Sequence, residues 1–204
     1  MKKTCMKFWK NSASKRLAGV LIFLLFSLSA QEGVAEKITL ENRGGDFTLL
    51  AAEGPLSLQD LRGKVVLLFF GFTACPSVCP VSLVTISRAF AKLPPDELAQ
   101  VKALFISLDP ERDTPEMLKQ YTGYFHSNII GLTERPEHIA QIAEKYGVKH
   151  EKKELLDSAL GYVISHSADI YVVDPQGKLC ASFPHDTDLE PLLVQIKRLL
   201  NSKS

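Results

Sequence analysis

Sulfur-containing residues are scarce in this sequence, which has 4 cysteines and 3 methionines among 204 residues. A small domain stapled by disulfides would have more cysteines in a shorter chain, so disulfides are not what holds this fold together. Two of the methionines, Met1 and Met6, lie near the N-terminus, which leaves Met117 alone in the rest of the chain. A methionine-rich metal relay is therefore excluded.

An excess of charge of either sign is also lacking. Lysine and arginine number 24, and aspartate and glutamate number 23. This balance gives the protein no strong positive electrostatic potential of the kind that attracts nucleic acids, so no nucleic-acid partner is expected. The sequence has no internal repeat and no low-complexity segment, and its length suits one domain with a full hydrophobic core.

The N-terminal segment combines basic residues with a short apolar run. Six lysine and arginine residues lie among the first 16 positions without any acid, and residues 17–30 are almost continuously apolar. This pattern predicts an export signal or a membrane anchor over residues 1–35. The run is shorter than the ~20 residues that a spanning helix needs, which favours cleavage over retention as an anchor.

Small residues at 33–35 offer a signal peptidase a cleavage site, and residues 27–29 offer a second one in a poorer position. We therefore expect a mature domain over residues 36–204, in the periplasm or at the outer face of the inner membrane. Cys5 precedes the apolar run and belongs to the targeting segment. Three cysteines remain in a compartment where thiols tend to oxidise, namely Cys75, Cys79 and Cys180.

Two apolar runs, residues 65–72 and 101–108, predict neighbouring strands that are buried on both faces. Between them, Leu83, Ile86 and Phe90 recur at spacings of three and four residues, which predicts an amphipathic helix. These three elements form a β-α-β unit, whose crossover we expect to be right-handed.

Capping and turn signals place the remaining elements. Further helices are predicted to begin at Thr114 and Pro136, and a last helix covers about residues 188–200. The sequence DPQG at residues 174–177 predicts a hairpin between the two strands that flank it. Residues 149–161 are rich in lysine and glutamate, and we expect them to form a surface loop.

The order of elements predicts an α/β fold with a central mixed sheet flanked by helices on both faces. Residues 36–63 add an N-terminal β-hairpin extension, with turn signals at residues 44–45 and 54–55. A thioredoxin-like architecture matches this order best.

The sequence CPSVCP at residues 75–80 follows the first buried strand. Its prolines predict that the regular helix begins near Cys79, with Cys75 in the preceding loop. Unpaired N–H groups and the helix dipole favour thiolate over thiol at such a position. The two sulfurs can reach one metal ion or one another, and the main alternative is an inert disulfide.

Two thiolates are soft donors that suit Cu(I), with zinc and iron–sulfur clusters as the other users of thiolate. A structural zinc site normally has four protein ligands. Apart from this pair the mature chain offers only Cys180, which lies on a predicted strand without a neighbouring ligand pattern. A copper site of low coordination number needs just one more ligand.

The sequence resembles the Sco/SenC family of exported copper-binding proteins, which help to assemble the binuclear copper centre of cytochrome c oxidase. The resemblance covers nearly everything after the N-terminal segment. It is carried by GGDFTLL at 44–50, DLRGK at 60–64, FGFTACPSVCP at 70–80, SLDPERDTP at 107–115, and residues 131–148 and 166–177.

The resemblance implies a thioredoxin-like fold and a copper site formed by the two cysteines of the CxxxCP motif and a downstream histidine. The matching residues are Cys75, Cys79 and His166. The implied partners are the copper-bearing subunit of cytochrome c oxidase or another envelope copper protein, together with thiol–disulfide reductants. Many relatives have an aspartate just before this histidine, whereas this chain has Ser165, so the partner that orients the imidazole is an open question.

Other chemically capable residues have ordinary explanations. His126, His138, His150 and His185 are scattered, without an i, i+4 partner, and are expected at the surface. Cys180 is expected to be a small buried hydrophobic residue. Asp109, Arg112 and Asp113 could form a charged lip beside the site, but Asp113 precedes a helix start, so capping is the favoured role.

Two functions use the same two sulfurs. A delivery protein would hold Cu(I) through Cys75, Cys79 and His166 and pass it on by ligand exchange, without turnover. A thiol–disulfide oxidoreductase would use Cys75 and Cys79 as a redox pair, with one thiolate attacking a partner disulfide and the other resolving the mixed disulfide. A thiol peroxidase is disfavoured because Thr73 is not three residues ahead of either cysteine.

Overall fold

A computed structural model describes residue 40 and residues 42–155 and 160–202. The predicted targeting segment lies outside these residues, as do Cys5, the apolar run at 17–30 and both cleavage sites. No helix in the described part of the chain combines the length and the apolar character that crossing a membrane requires.

A five-stranded mixed sheet forms the centre of the domain. Its strands are β3 Val65–Gly71, β4 Val101–Ser107, β5 Ile129–Leu132, β8 Ile170–Val173 and β9 Leu179–Phe183, in the order β5-β4-β3-β8-β9. Strand β3 pairs in parallel with β4, and β4 with β5, whereas β8 runs antiparallel to both β3 and β9. Every residue of β3 is buried, because strands flank it on both sides and helices cover both of its faces.

Five helices in the described part of the chain surround the sheet, and their ends follow the sequence signals. They are α1 Val78–Phe90, α2 Pro95–Leu98, α3 Pro115–Gly123, α4 Pro136–Tyr146 and α5 Leu189–Asn201. Thr114 caps α3 by accepting a hydrogen bond from the Met117 amide, with Pro115 at the first helical position. Gly147 ends α4 in the left-handed conformation, with φ of 73°.

Phe69 and Phe70 show that helices cover both faces of the sheet, because neighbouring residues of a strand point in opposite directions. The Phe70 ring lies 5.9 Å from the Tyr146 ring of α4. On the opposite face, Phe69 stacks on Phe105 of β4 at 6.2 Å, and Phe105 lies 5.4 Å from Tyr121 of α3. The predicted layer order and thioredoxin-like fold are confirmed.

Both predicted hairpins are present. Strands β1 Thr48–Ala51 and β2 Gly54–Ser57 form the N-terminal hairpin. The turn between β8 and β9 is closed by the Asp174 carboxylate, which accepts hydrogen bonds from the amides of Gln176 and Lys178. Gly177 follows with φ of 86°, a conformation that favours glycine.

The prediction of a loop over residues 149–161 was wrong for residues 150–154, and residues 156–159 of that range lie outside the described residues. Strand β6 His150–Glu154 pairs antiparallel with β7 Tyr162–His166, and the two form a separate sheet. All five residues of β6 are exposed. Without a buried face the strand has no apolar alternation, so its composition is that of a solvated loop.

Candidate metal centre

The end of β3 and the start of α1 bring the two cysteines together. Ser77 precedes α1 without making a side-chain capping bond. The Cys75 sulfur acts as the acceptor at the start of the helix instead, because it accepts hydrogen bonds from the amides of Ser77 and Cys79. Helix α1 begins at Val78, one residue before the predicted start, so Cys75 lies in the loop and Cys79 in the first turn.

His166, the last residue of β7, completes the group. The Sγ atoms of Cys75 and Cys79 and a ring nitrogen of His166 all lie within 4.8 Å of one another. Cys79 is fully buried, whereas Cys75 is 9% exposed. Among the described residues this is the one cluster of three or more His, Cys, Asp or Glu side chains at such distances.

The His166 ring is oriented by a backbone carbonyl. Its Nδ1 donates to the Ser167 carbonyl at 2.8 Å, which leaves Nε2 facing the Cys79 sulfur at 3.7 Å. The Phe69 and Phe72 rings pack against the imidazole in T-shaped arrangements, with ring centroids 6.3 and 5.9 Å from that of the imidazole. The orienting partner is therefore Ser167. The exposed Ser165 points away from the ring, because neighbouring residues of a strand point to opposite faces.

The two thiols have opposite electrostatic environments. The Cys79 thiol donates to the Cys75 sulfur and holds the pKa of Cys75 far below its usual range; His166 and the amides of Ser77 and Cys79 act in the same direction. The same hydrogen bond raises the pKa of Cys79, and burial raises it further. The environment therefore favours the thiolate at Cys75 and the thiol at Cys79.

This donor set suits a soft ion of low coordination number. Two thiolate sulfurs and one imidazole nitrogen are ligands that Cu(I) accepts, whereas magnesium and calcium require oxygen. Two donors to one ion can lie up to about 4.6 Å apart when each bond is about 2.3 Å. The sulfur and nitrogen atoms already lie close to that limit.

Gly71 is a functional residue that the sequence analysis missed. A Cβ atom at this position would lie 2.7 Å from the Cys79 sulfur, 2.9 Å from the Phe105 ring and 3.1 Å from the Phe69 ring. The last residue of β3 therefore has to be glycine for α1 to bring Cys79 against the sheet. Its place between a buried strand and the cysteine motif is the signal that could have revealed it.

Asp113 does not cap α3, which corrects the role favoured for it. Its carboxylate is buried and accepts hydrogen bonds from the Thr73 amide, the Thr73 hydroxyl and the Ser107 hydroxyl at 3.1, 2.5 and 2.6 Å. Thr114 supplies the cap instead. Asp113 thus holds the loop that carries Cys75.

The remaining cysteine and histidines lie outside the cluster. Cys180, half-buried in β9, donates to the Val172 carbonyl at 3.2 Å, and burial raises the pKa of its thiol. His150 is exposed, as expected, and lies opposite His166 in the β6–β7 hairpin. The other three histidines are half-buried rather than fully exposed: His126, His138 and His185.

Comparison with known proteins identifies the family. The model of the SCO1/SenC family matches residues 35–201. The chain belongs to this family. A mitochondrial SCO1 homolog 1 of Arabidopsis thaliana is 36% identical over 150 residues, which are 73% of this chain and 44% of that protein. The chain thus spans less than half of the plant relative's length.

Solved Sco structures share the fold. ScoI of Bradyrhizobium japonicum with copper bound has a TM-score of 0.70 and 36% identity, over 78% of this chain and 99% of that one. BsSco, a member of the Sco family of cytochrome c oxidase assembly proteins in which a disulfide switch has been identified, has a TM-score of 0.63 and 25% identity. That similarity covers 79% of this chain and 95% of BsSco.

The lowered pKa of Cys75 predicts how the reduced protein reacts with iodoacetamide. In a Cys180→Ser variant, Cys75 should react at a rate that changes little between about pH 6 and 8.5, since only the thiolate reacts. Cys79→Ala on the same background removes the donor and should restore a steep fall of the rate with falling pH. Peptide mapping assigns the modified residue. A roughly tenfold fall per pH unit with Cys79 present would contradict the assignment.

The contact between Gly71 and Cys79 predicts the effect of a single methyl group. Gly71→Ala should lower the free energy of unfolding by about 1–3 kcal/mol, because the Cβ meets packed core atoms. Gly123→Ala is the matched control, since nothing lies within 4 Å of its Cβ and the residue ends α3. The control should be neutral or more stable by up to about 1 kcal/mol. Urea unfolding measures both; equal stabilities would refute the steric account.

Proposed function

We propose that this protein is an exported copper-binding protein that delivers copper to the binuclear copper centre of cytochrome c oxidase or prepares the cysteines of that centre. The observation that carries the proposal is the meeting of two thiols and one imidazole within 4.8 Å, with Nε2 of His166 directed at Cys79. This arrangement is ready to bind Cu(I) without rebuilding the fold.

The chemistry of the site suits a cargo ion rather than a permanent one. A structural metal site is normally closed by four protein ligands, whereas the described residues bring three together here. Cys75 and His166 are both partly accessible, so an acceptor's ligand can approach from their side while Cys79 stays buried. Copper can then leave by stepwise ligand exchange, with no change of oxidation state.

The relatives support the copper and its destination. ScoI of Bradyrhizobium japonicum binds copper on the same fold, and BsSco belongs to a family of cytochrome c oxidase assembly proteins. The acceptor we propose is the copper-bearing subunit of that oxidase or another copper protein of the cell envelope. The basic and apolar N-terminal segment supports export to the periplasm or the outer face of the inner membrane, with residues 17–30 as a signal or an anchor.

A second candidate function is thiol–disulfide exchange, which the asymmetry of the pair favours. The Cys75 thiolate would attack one sulfur of a partner disulfide, forming a mixed disulfide and releasing the partner's other sulfur as a thiolate. Cys79 would then attack the Cys75 sulfur, release the second partner thiol and leave Cys75 and Cys79 oxidised. An envelope dithiol reductant would have to reduce the pair again. The disulfide switch of BsSco is consistent with this chemistry.

Removing His166 separates the two functions. In an anaerobic Cu(I) titration of the reduced protein against a competing chelator, one tight equivalent is expected. His166→Ala should lower the Cu(I) affinity by more than about a hundredfold. Losing a residue that only hydrogen-bonds to a metal ligand lowers the affinity about 10–100-fold, and losing the ligand itself lowers it further. His138→Ala, on α4, should match the wild type. If His166→Ala also matches it, or no copper binds tightly, the metal function fails and dithiol exchange becomes the leading function.

Replacing Ser165 tests what orients the imidazole. The His166 ring is held by the Ser167 carbonyl, and Ser165 is exposed opposite Glu151. Ser165→Asp should therefore leave the Cu(I) affinity within about threefold of the wild type, since an outer-shell partner would change it by about 10–100-fold. A larger gain in the same chelator competition would mean that an aspartate at this position does reach the ring.

A further inference from the structure

The ligands of the proposed copper site come from two separately supported parts of the fold. Cys75 and Cys79 lie at the end of β3 in the central sheet, whereas His166 lies in the two-stranded sheet of β6 and β7. Within the described residues, no hydrogen bond between strands joins these two sheets. The distance between the cysteines and the histidine is therefore fixed by the short connection from His166 to Ile170 of β8 together with side-chain contacts.

One short segment, residues 109–113 after β4, contacts both parts. At its far end, the buried Asp113 carboxylate accepts two hydrogen bonds from Thr73, two residues before Cys75, and a third from Ser107 at the end of β4. The cysteine loop is thus bound to the central sheet through a charged acceptor that is only 1% exposed.

The near end of the segment binds the histidine hairpin through Tyr162, the first residue of β7. The Tyr162 hydroxyl donates to the Asp109 carboxylate at 2.7 Å, and Asp109 is 3% exposed. Partial burial and this bond raise the pKa of Tyr162, so the hydroxyl keeps its proton and remains a donor. Arg112 pairs with the other oxygen of Asp109.

Charged side chains close around the Tyr162 ring. The Arg112 guanidinium carbon and the Lys152 ammonium each lie 3.8 Å from the ring centroid, a cation–π geometry. Arg112 also donates to the Tyr162 carbonyl at 3.3 Å, and Lys152 of β6 pairs with Glu111 at 2.9 Å. Both strands of the hairpin are therefore bound to residues 109–113.

We propose that Asp109, Arg112, Asp113 and Tyr162 are positioning residues that set the distance between the cysteine pair and His166. The inference rests on the proposed function and adds to it the element that aligns the two halves of the copper site. Asp113 holds the loop that carries Cys75, and Tyr162 holds the hairpin that carries His166. We call these the cysteine half and the histidine half of the site, and a variant in one half can be measured separately from a variant in the other.

Tyr162→Phe tests the histidine half, because it removes the hydroxyl and keeps the stacked ring. The Cu(I) affinity should fall about tenfold, the effect of losing one hydrogen bond to a charged group. In the copper-free protein, hydrogen exchange of the β7 amides should rise about tenfold, while the alkylation rate of Cys75 stays at the wild-type value. Tyr124→Phe is the control, since Tyr124 is 86% exposed, and should change nothing.

Thr73→Val tests the cysteine half, because it keeps the side-chain shape and removes the hydroxyl bond to Asp113. The Cu(I) affinity should again fall about tenfold. Now the alkylation rate of Cys75 should rise, and exchange of the β7 amides should stay unchanged. The proposal is overturned if Tyr162→Phe leaves the exchange of the β7 amides unchanged and Thr73→Val leaves the alkylation rate of Cys75 unchanged. It is also overturned if each variant changes both readouts equally. If the wild type binds no copper, the proposed function fails, and exchange and alkylation alone decide the positioning roles.

Discussion

The candidate centre depends on how closely helix α1 approaches the end of strand β3. The Cys79 sulfur occupies space that any side chain at residue 71 would need, against the packed rings of Phe69 and Phe105. Dense packing around this buried sulfur restricts its movement. Because Cys79 is fixed, it defines where Cys75 and His166 must lie to share an ion with it.

Around this sulfur, the other two candidate ligands, Cys75 and His166, are held by polar contacts. The Cys75 sulfur is bound by the amides at the start of α1, and the His166 ring by the Ser167 carbonyl. Both remain partly accessible, unlike Cys79. In the delivery function that we propose, the buried Cys79 would hold the ion on its inner side, and the two accessible donors would present it to an acceptor protein.

The sequence predicted those parts of the fold in which local pattern and tertiary burial agree. Strand β3 is apolar throughout because it is buried throughout. Thr114 caps the start of one helix through its side chain, and Gly147 ends another through its backbone conformation. Hairpin β6–β7 was missed because β6 is exposed along its whole length, so its stability comes from pairing and from charged contacts that no periodicity reveals.

At the site, too, local pattern revealed some residues, whereas others became evident only from the packed fold. The two cysteines were evident from their spacing and their place before a helix, but His166 is 87 residues from Cys79 and could be assigned only through family resemblance. Asp113 has the sequence context of a cap, and only its three-dimensional neighbours Thr73 and Ser107 reveal another role. Long-range contacts of this kind depend on the packed fold, which local sequence does not encode.

X-ray absorption at the copper edge of the Cu(I)-loaded protein counts the donor atoms around the ion and so tests whether the three side chains bind it together. We expect one copper per chain with two sulfur neighbours and one nitrogen neighbour. A first shell with sulfur alone, or one dominated by nitrogen and oxygen, would contradict a site formed by Cys75, Cys79 and His166.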